Sequence, residues 1–231
     1  MSSYALKIPV FSISTALPLR HQSDKKRCVD DIYPQIFDAI LEQRIAPGSR
    51  FTEASLGQAF GVSRSIIRQV LARLSHQQVI ILRPNHRPQV ATSDAEQTRQ
   101  ILHARRLTET TLARLACQQP SSRHLPQLRE LIERERRYIE QNQRGPAIRL
   151  SGEFHLQLAQ VAGNVPLAQF LGSLVPLTSL AIAHYEEQAR SYCAWQEHAE
   201  IVEAVECGDA KVAEGLMARL LEHLEEKLLN P

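Results

Sequence analysis

From about residue 31 to the end of the chain, apolar residues recur mostly at three- and four-residue spacing, the period of helices that bury one face. The first stripe, Ile32, Ile36, Phe37, Ile40 and Leu41, predicts a helix from about Asp31 to Gln43, and Asp30 and Asp31 suit its N-terminus. Pro47-Gly48 then turns the chain. Thr52 can cap a second helix carrying Leu56, Ala59 and Phe60; Gly61-Val62 makes a sharp turn. Ser63 sits where a cap belongs for a third helix, which places Ile67, Val70, Leu71 and Leu74 on one face. Two short β-branched runs follow, Val79–Arg83 and Gln89–Ala91, around Pro84-Asn85-His86-Arg87-Pro88, and predict a hairpin.

Beyond Ser93 only helical signals remain. Segments near 95–118, 123–143, 146–163, 165–190, 193–206 and 209–229 are separated by Pro120, Gly145-Pro146, Gly163-Asn164 and Gly208-Asp209. Six such helices make a bundle. The predicted fold class is therefore mainly α: a winged helix-turn-helix with a small β hairpin over residues 28–92, then an all-α bundle over residues 93–231. Residues 1–27 read as a flexible tail.

The third helix carries the chemistry of the first domain. Opposite its apolar stripe stand Arg64, Ser65, Arg68 and Gln69, so guanidinium, hydroxyl and amide groups leave its first turns together. A helix that buries one face and offers such donors on the other can lie in the DNA major groove and meet base edges. Charge supports this placement. Net charge is only +2, but residues 1–92 hold 12 Lys and Arg against 6 Asp and Glu, whereas residues 93–231 hold 15 against 19. One end suits phosphate and the other does not.

Other classes find little support. No GxGxxG, Walker loop or nucleophile elbow is present. Cys28, Cys117, Cys193 and Cys207 are widely spaced without a paired CxxC, as expected of reduced thiols in a cytoplasmic protein. Pro9 and Pro18 interrupt the apolar residues before Gln22, and no basic region precedes them, so this segment is expected to be neither signal peptide nor membrane span. The run Lys25-Lys26-Arg27 could touch DNA backbone or stay solvated.

Pro47-Gly48, then Leu56…Phe60-Gly61-Val62-Ser63-Arg64…Arg68…Leu71…Leu74, resembles the winged helix-turn-helix of the GntR superfamily of bacterial transcription regulators. The second domain resembles the all-helical effector domain of its FadR branch, through Arg105-Arg106-Leu-Thr-Glu109, Glu153-Phe154-His155…Ala162-Gly163-Asn164 and Glu197-His198…Gly208-Asp209…Ala213. The resemblance implies a ligand-responsive regulator, a homodimer that reads a palindromic double-stranded operator. Arg64 and Arg68 match the family's recognition-helix arginines, with Ser63 and Ser65 at the flanking hydroxyl positions and Gln69 beside them. The wing departs from the pattern: relatives commonly place Arg-Gly where this chain has His86-Arg87-Pro88, leaving Arg87 to enter the minor groove.

In many members of that branch, an Asp, a His four residues later and two further His hold a divalent metal. His155 and His198 match the second and third ligands, while Ser151 and Leu220 stand at the first and fourth. Serine is a poor ligand and leucine is none, so no metal cofactor is expected to be required. His223 lies one turn from Leu220 on a different face, and His184 has no supporting motif. Ser151, His155 and His198 then read as effector-pocket groups. Arg105 matches the pocket arginine that faces an acidic effector; its alternative is an i,i+4 ion pair with Glu109 on a solvated face. Tyr185 and Arg190 are further candidate lining residues. Two other readings stay open, a metal-dependent enzyme using His155 and His198, and an architectural DNA-binding protein whose bundle only dimerises.

Overall fold

The computed structural model describes residues 27–92, 94–119, 123–185 and 194–229. The basic run before Arg27, Cys193 and Arg190 lie outside these residues, as does the side chain of Tyr185.

The head begins with α1 (Val29–Leu41), whose Ile32, Ile36, Phe37, Ile40 and Leu41 are all buried. It starts earlier than its apolar stripe because the Asp31 carboxylate accepts the Cys28 backbone N–H at 2.9 Å, closing a capping box. Helix α2 (Glu53–Phe60) is capped by Thr52, whose hydroxyl accepts from the Ser55 N–H at 3.0 Å. Gly61 ends it in the left-handed region, φ 66°, where a side chain would be strained. Ser63 caps α3 (Arg64–His76), which buries Ile67, Val70, Leu71 and Leu74. Strands β1 (Ile80–Ile81) and β2 (Gln89–Val90) pair antiparallel, Ile80 opposite Val90 and Ile81 opposite Gln89. Their connection needs no glycine: the His86 N–H bonds the Arg83 carbonyl at 3.1 Å across Pro84-Asn85, and Asn85 takes the left-handed conformation, φ 58°.

The body contains α4 (Ala95–Ala116), α5 (Leu125–Glu140), α6 (Arg144–Val161), α7 (Val165–Tyr185), α8 (Trp195–Glu206) and α9 (Ala210–Leu229). Gly145-Pro146, expected to separate two helices, instead sits in the first turn of α6. Proline is tolerated there because its missing N–H would have had no intrahelical partner. Gly145 lies tight against the end of α1: a Cβ would lie 2.7 Å from the Asp38 carbonyl oxygen and 2.8 Å from Glu42 Cγ. Helix α7 is long and apolar enough to cross a membrane by length and composition, with mean hydropathy 1.6 over Val165–His184. Here its second half is the buried part, the helix packing on α4 and α6, while Val165 and Phe170 near its start are exposed.

Head and body share one hydrophobic cluster, in which Ile36 and Leu41 of α1 join Ile148 of α6, Leu177 and Leu180 of α7, and Leu224 and Leu228 of α9. Polar contacts fix the seat. Arg149 of α6 grips Asp38 of α1 through Nε and Nη2 at 2.6 and 3.2 Å. Arg144 donates to the carbonyls of Leu41, Ile182 and Ala183 at 3.0, 3.2 and 2.7 Å, joining the C-terminal ends of α1 and α7. A second cluster fills the far half of the body, with Leu128, Ile132, Phe154, Leu158, Ile201, Val205, Met217 and Leu220.

Candidate DNA-reading face and effector pocket

Arg64, Ser65, Arg68 and Gln69 all lie exposed on one face of α3. Ser63 is exposed at its start and uses its hydroxyl oxygen as the cap, at 3.4 Å from the Ile66 N–H. Gln69 donates to the Ser65 carbonyl at 3.3 Å. A shallow cleft between α2, the start of α3 and the wing is lined by Thr52, Glu53, Arg64, His86 and Arg87, so helix and wing present cations to one surface. Arg27 donates to the Phe60 carbonyl at 2.8 Å, tying the entry of the chain to the end of α2.

One residue on this face escaped the sequence. Glu53, at the first position of α2, holds Arg68 by two parallel hydrogen bonds, Nε to Oε1 at 3.0 Å and Nη2 to Oε2 at 2.9 Å. These bonds keep the Glu53 carboxylate below its ordinary range. Fifteen residues separate the pair, and no short-range pattern marks it.

The second site is a closed polar cluster in the body. Helix α4 supplies Arg105 and Glu109, α5 supplies Glu135, α6 supplies Ser151 and His155, and α8 supplies His198; each is 3 % exposed or less. The Arg105–Glu109 pair exists, Nε to Oε1 at 2.6 Å, but it is buried rather than on a solvated face. Residue 105 belongs to the buried stripe with Ile101, Leu102, Thr108 and Leu112, which turns it inward. His155 Nδ1 approaches Glu109 Oε2 at 2.5 Å. His198 Nδ1 meets Glu135 Oε2 at 2.9 Å, and its ring stacks on Phe154 with centroids 3.9 Å apart. The two imidazoles stand nearly perpendicular, 5.3 Å between centroids.

Burial lowers the His155 pKa to about 4, so this ring is neutral near pH 7. Burial alone would raise the pKa of Glu109, but the charges of Arg105 and His155 outweigh it and hold the carboxylate far below its ordinary range. Arg105 Nη2, Glu135 Oε1 and His198 Nε2 are buried without a hydrogen-bond partner among the described residues. Buried polar groups left without a partner are costly in a folded chain.

The residues do not make the family's metal set. Ser151 and Leu220 are buried at the first and fourth positions. His223 is exposed and bonds Glu197 at 3.0 Å, and His184 is exposed near the end of α7. Among the described residues, no three His, Cys, Asp or Glu side chains gather in a way that could hold an ion. Glu135 was missed by sequence reading although a signal existed: it follows Leu128 and Ile132 at helical spacing and precedes Ile139, a carboxylate in an apolar stripe.

Comparison with known proteins points one way. Residues 29–90 match the model of bacterial regulatory proteins of the gntR family, and residues 100–223 match the FCD domain. The chain is 24 % identical over 196 residues to the Uxu operon regulator of Haemophilus influenzae, covering 78 % of this chain and 73 % of the relative. It is 23 % identical over 198 residues to the HTH-type transcriptional repressor RspR of Escherichia coli, covering 85 % and 87 %. Among solved structures it resembles E. coli McbR/YncC, with TM-score 0.69, 16 % identity and coverage of 84 % and 93 %. It also resembles a putative GntR transcriptional regulator from Rhodococcus sp. RHA1, with TM-score 0.69, 20 % identity and coverage of 87 % and 97 %.

Proposed function

Because the chain belongs to the GntR family of bacterial regulatory proteins, with an FCD domain after its DNA-binding head, we propose that it is an effector-gated repressor in the cytoplasm. It reads a palindromic operator as a homodimer. Residues 28–92 are the reading head and residues 93–231 the sensing and dimerising body. The family and its relatives are transcription regulators, not enzymes, and one relative is named a repressor.

The observation that carries the effector reading is that Arg105 Nη2, Glu135 Oε1 and His198 Nε2, on side chains joined in one chain of buried polar and ring contacts, are left without a hydrogen-bond partner among the described residues. A small carboxylate suits it: Arg105 offers a guanidinium N–H, Ser151 a hydroxyl, and His155 and His198 their imidazoles. Glu135 already meets Nδ1 of His198, and Glu109 meets Nδ1 of His155 and Nε of Arg105, so Nη2 of Arg105 is the charged donor left for the acid.

The cluster is closed, so a ligand enters only by parting its helices. That supplies the differential affinity a switch requires, one state accepting the ligand and the other excluding it. Helix α6 is the natural transmitter. It carries Ser151 and His155 toward the cluster and Arg144 and Arg149 toward α1.

A thermal-shift screen of carboxylates, sugar acids and amino-acid catabolites tests the reading. A ligand at 100 times its dissociation constant adds about 2.7 kcal/mol of stability. The stabilising acid should lose its effect in Arg105→Lys and His198→Gln and should alter operator binding. An acid that stabilises both variants as it does the natural protein would place the effector elsewhere.

A further inference from the structure

The Glu53–Arg68 contact has a geometry that matters for DNA reading. It uses the side edge of the guanidinium, Nε–H and one Nη2–H, and leaves the end-on pair of Nη1 and Nη2 unspent in this contact. That remaining edge is a fork of parallel donors, the shape that matches O6 and N7 of guanine in the major groove. Arg68 is 72 % exposed on the reading face, whereas Glu53 is 31 % exposed at the start of α2. We infer that Glu53 is a positioning residue for base recognition: it fixes the plane of Arg68 so that its free edge reads one guanine in each half-site.

Two physical arguments support this. An arginine carries large rotamer entropy, and a bidentate partner removes much of it before DNA arrives, which favours the correct complex through preorganisation. The pair is also close to neutral. Arg68 therefore adds little to attraction toward phosphates in general, and its energy is reserved for the base edge. So exposed an ion pair contributes little to folding, leaving Glu53 free to serve recognition.

The inference rests on the recognition-helix reading, and one experiment separates the two. The full-length protein, Arg68→Ala, Arg68→Lys, Glu53→Ala and Glu53→Gln are each used to select duplexes from a pool with a random central segment, and the enriched sequences are compared. The natural protein should enrich a G·C pair at one position per half-site. Both Arg68 variants should lose that preference, by about tenfold or more in relative affinity, since lysine cannot form the fork. Glu53→Ala should lose the same preference at the same position, and Glu53→Gln should lose most of it.

On a fixed duplex lacking the selected sequence, both Glu53 variants should bind at least as tightly as the natural protein. Their salt dependence should be steeper by roughly one phosphate contact, because Arg68 is released from its counter-charge. Retention of the G·C preference in Glu53→Ala, with or without a gain in affinity, overturns the inference and makes Glu53 a mere competitor for Arg68. If Arg68→Ala keeps every preference, the assignment of Arg68 itself falls.

Discussion

Glu109→Gln tests whether the polar cluster is as tightly committed as its geometry implies. The substitution keeps the size and one acceptor oxygen but removes the charge facing Arg105 at 2.6 Å and His155 at 2.5 Å. Were Arg105 and Glu109 on a solvated face, an i,i+4 pair would be worth about 0.3–0.5 kcal/mol. Both side chains are only 2 % exposed, which changes the scale. Opposite charges at about 4 Å attract by roughly 4 kcal/mol at an effective dielectric of about 20, and removing one partner of a buried pair typically costs 3–5 kcal/mol. Such a loss is a large part of the roughly 5–15 kcal/mol that stabilises an ordinary domain.

The measurement is guanidinium-induced unfolding of full-length protein at fixed concentration, with Arg105→Met, Glu109→Gln and the double variant alongside. Each single variant should be destabilised by about 3–5 kcal/mol, and the double variant should cost much less than their sum because no unpaired charge stays buried. A loss below about 1 kcal/mol for Glu109→Gln, or strict additivity in the double variant, would refute the reasoning.

Other expectations are narrower. Arg64→Ala should weaken specific operator binding by about 1–3 kcal/mol without disturbing the fold, as an equilibrium binding series at fixed salt would show. Arg87→Ala should reduce affinity most on operators with A·T-rich flanks, where the minor groove is narrow, and equal losses on G·C-rich flanks would make it a phosphate contact. Protein purified without chelator or immobilised-metal chromatography should carry well under one transition-metal ion per chain; a full equivalent, lost in His155→Ala or His198→Ala, would restore a metal-assisted pocket. The His155 pKa lies at about 4 in the fold against 6.5 ordinarily, so the unfolded chain binds the proton more readily. Its stabilising contribution, at most about 3 kcal/mol, is present above pH 6.5 and drains away as pH falls toward 4. Unfolding free energies measured across that window should flatten in His155→Gln.

Helix-forming segments were legible because burial and periodicity coincide: the stripes Ile32–Leu41 and Ile67–Leu74 are the buried faces of α1 and α3. The wing was legible from β-branched runs around a proline turn, although Asn85 took the left-handed position usually given to glycine. Pro146 misled because proline reads as a breaker, whereas in a first turn it costs no hydrogen bond. The polar cluster was half legible. His155, His198 and Arg105 stood out by motif, while Glu135 was hidden among the charges of α5 and shows its role only by its register. Contacts such as Glu53–Arg68 and Asp38–Arg149 depend on how helices pack across 15 and 111 residues, and no local spacing encodes that.

The seat between head and body bears on how such regulators diversify. Winged heads and helical bodies look like interchangeable parts, joined here by a short stretch before Ala95. Yet Arg144 reaches the last carbonyls of both α1 and α7, Gly145 leaves room for the Asp38 backbone, and Arg149 needs a carboxylate at position 38. A head transplanted from another regulator would arrive with its own residues at positions 38 and 42, facing a surface shaped for these. Shuffling of the two parts, in evolution or in the laboratory, is thus constrained less by the connecting peptide than by one patch on α6, and positions 38, 145 and 149 must travel together.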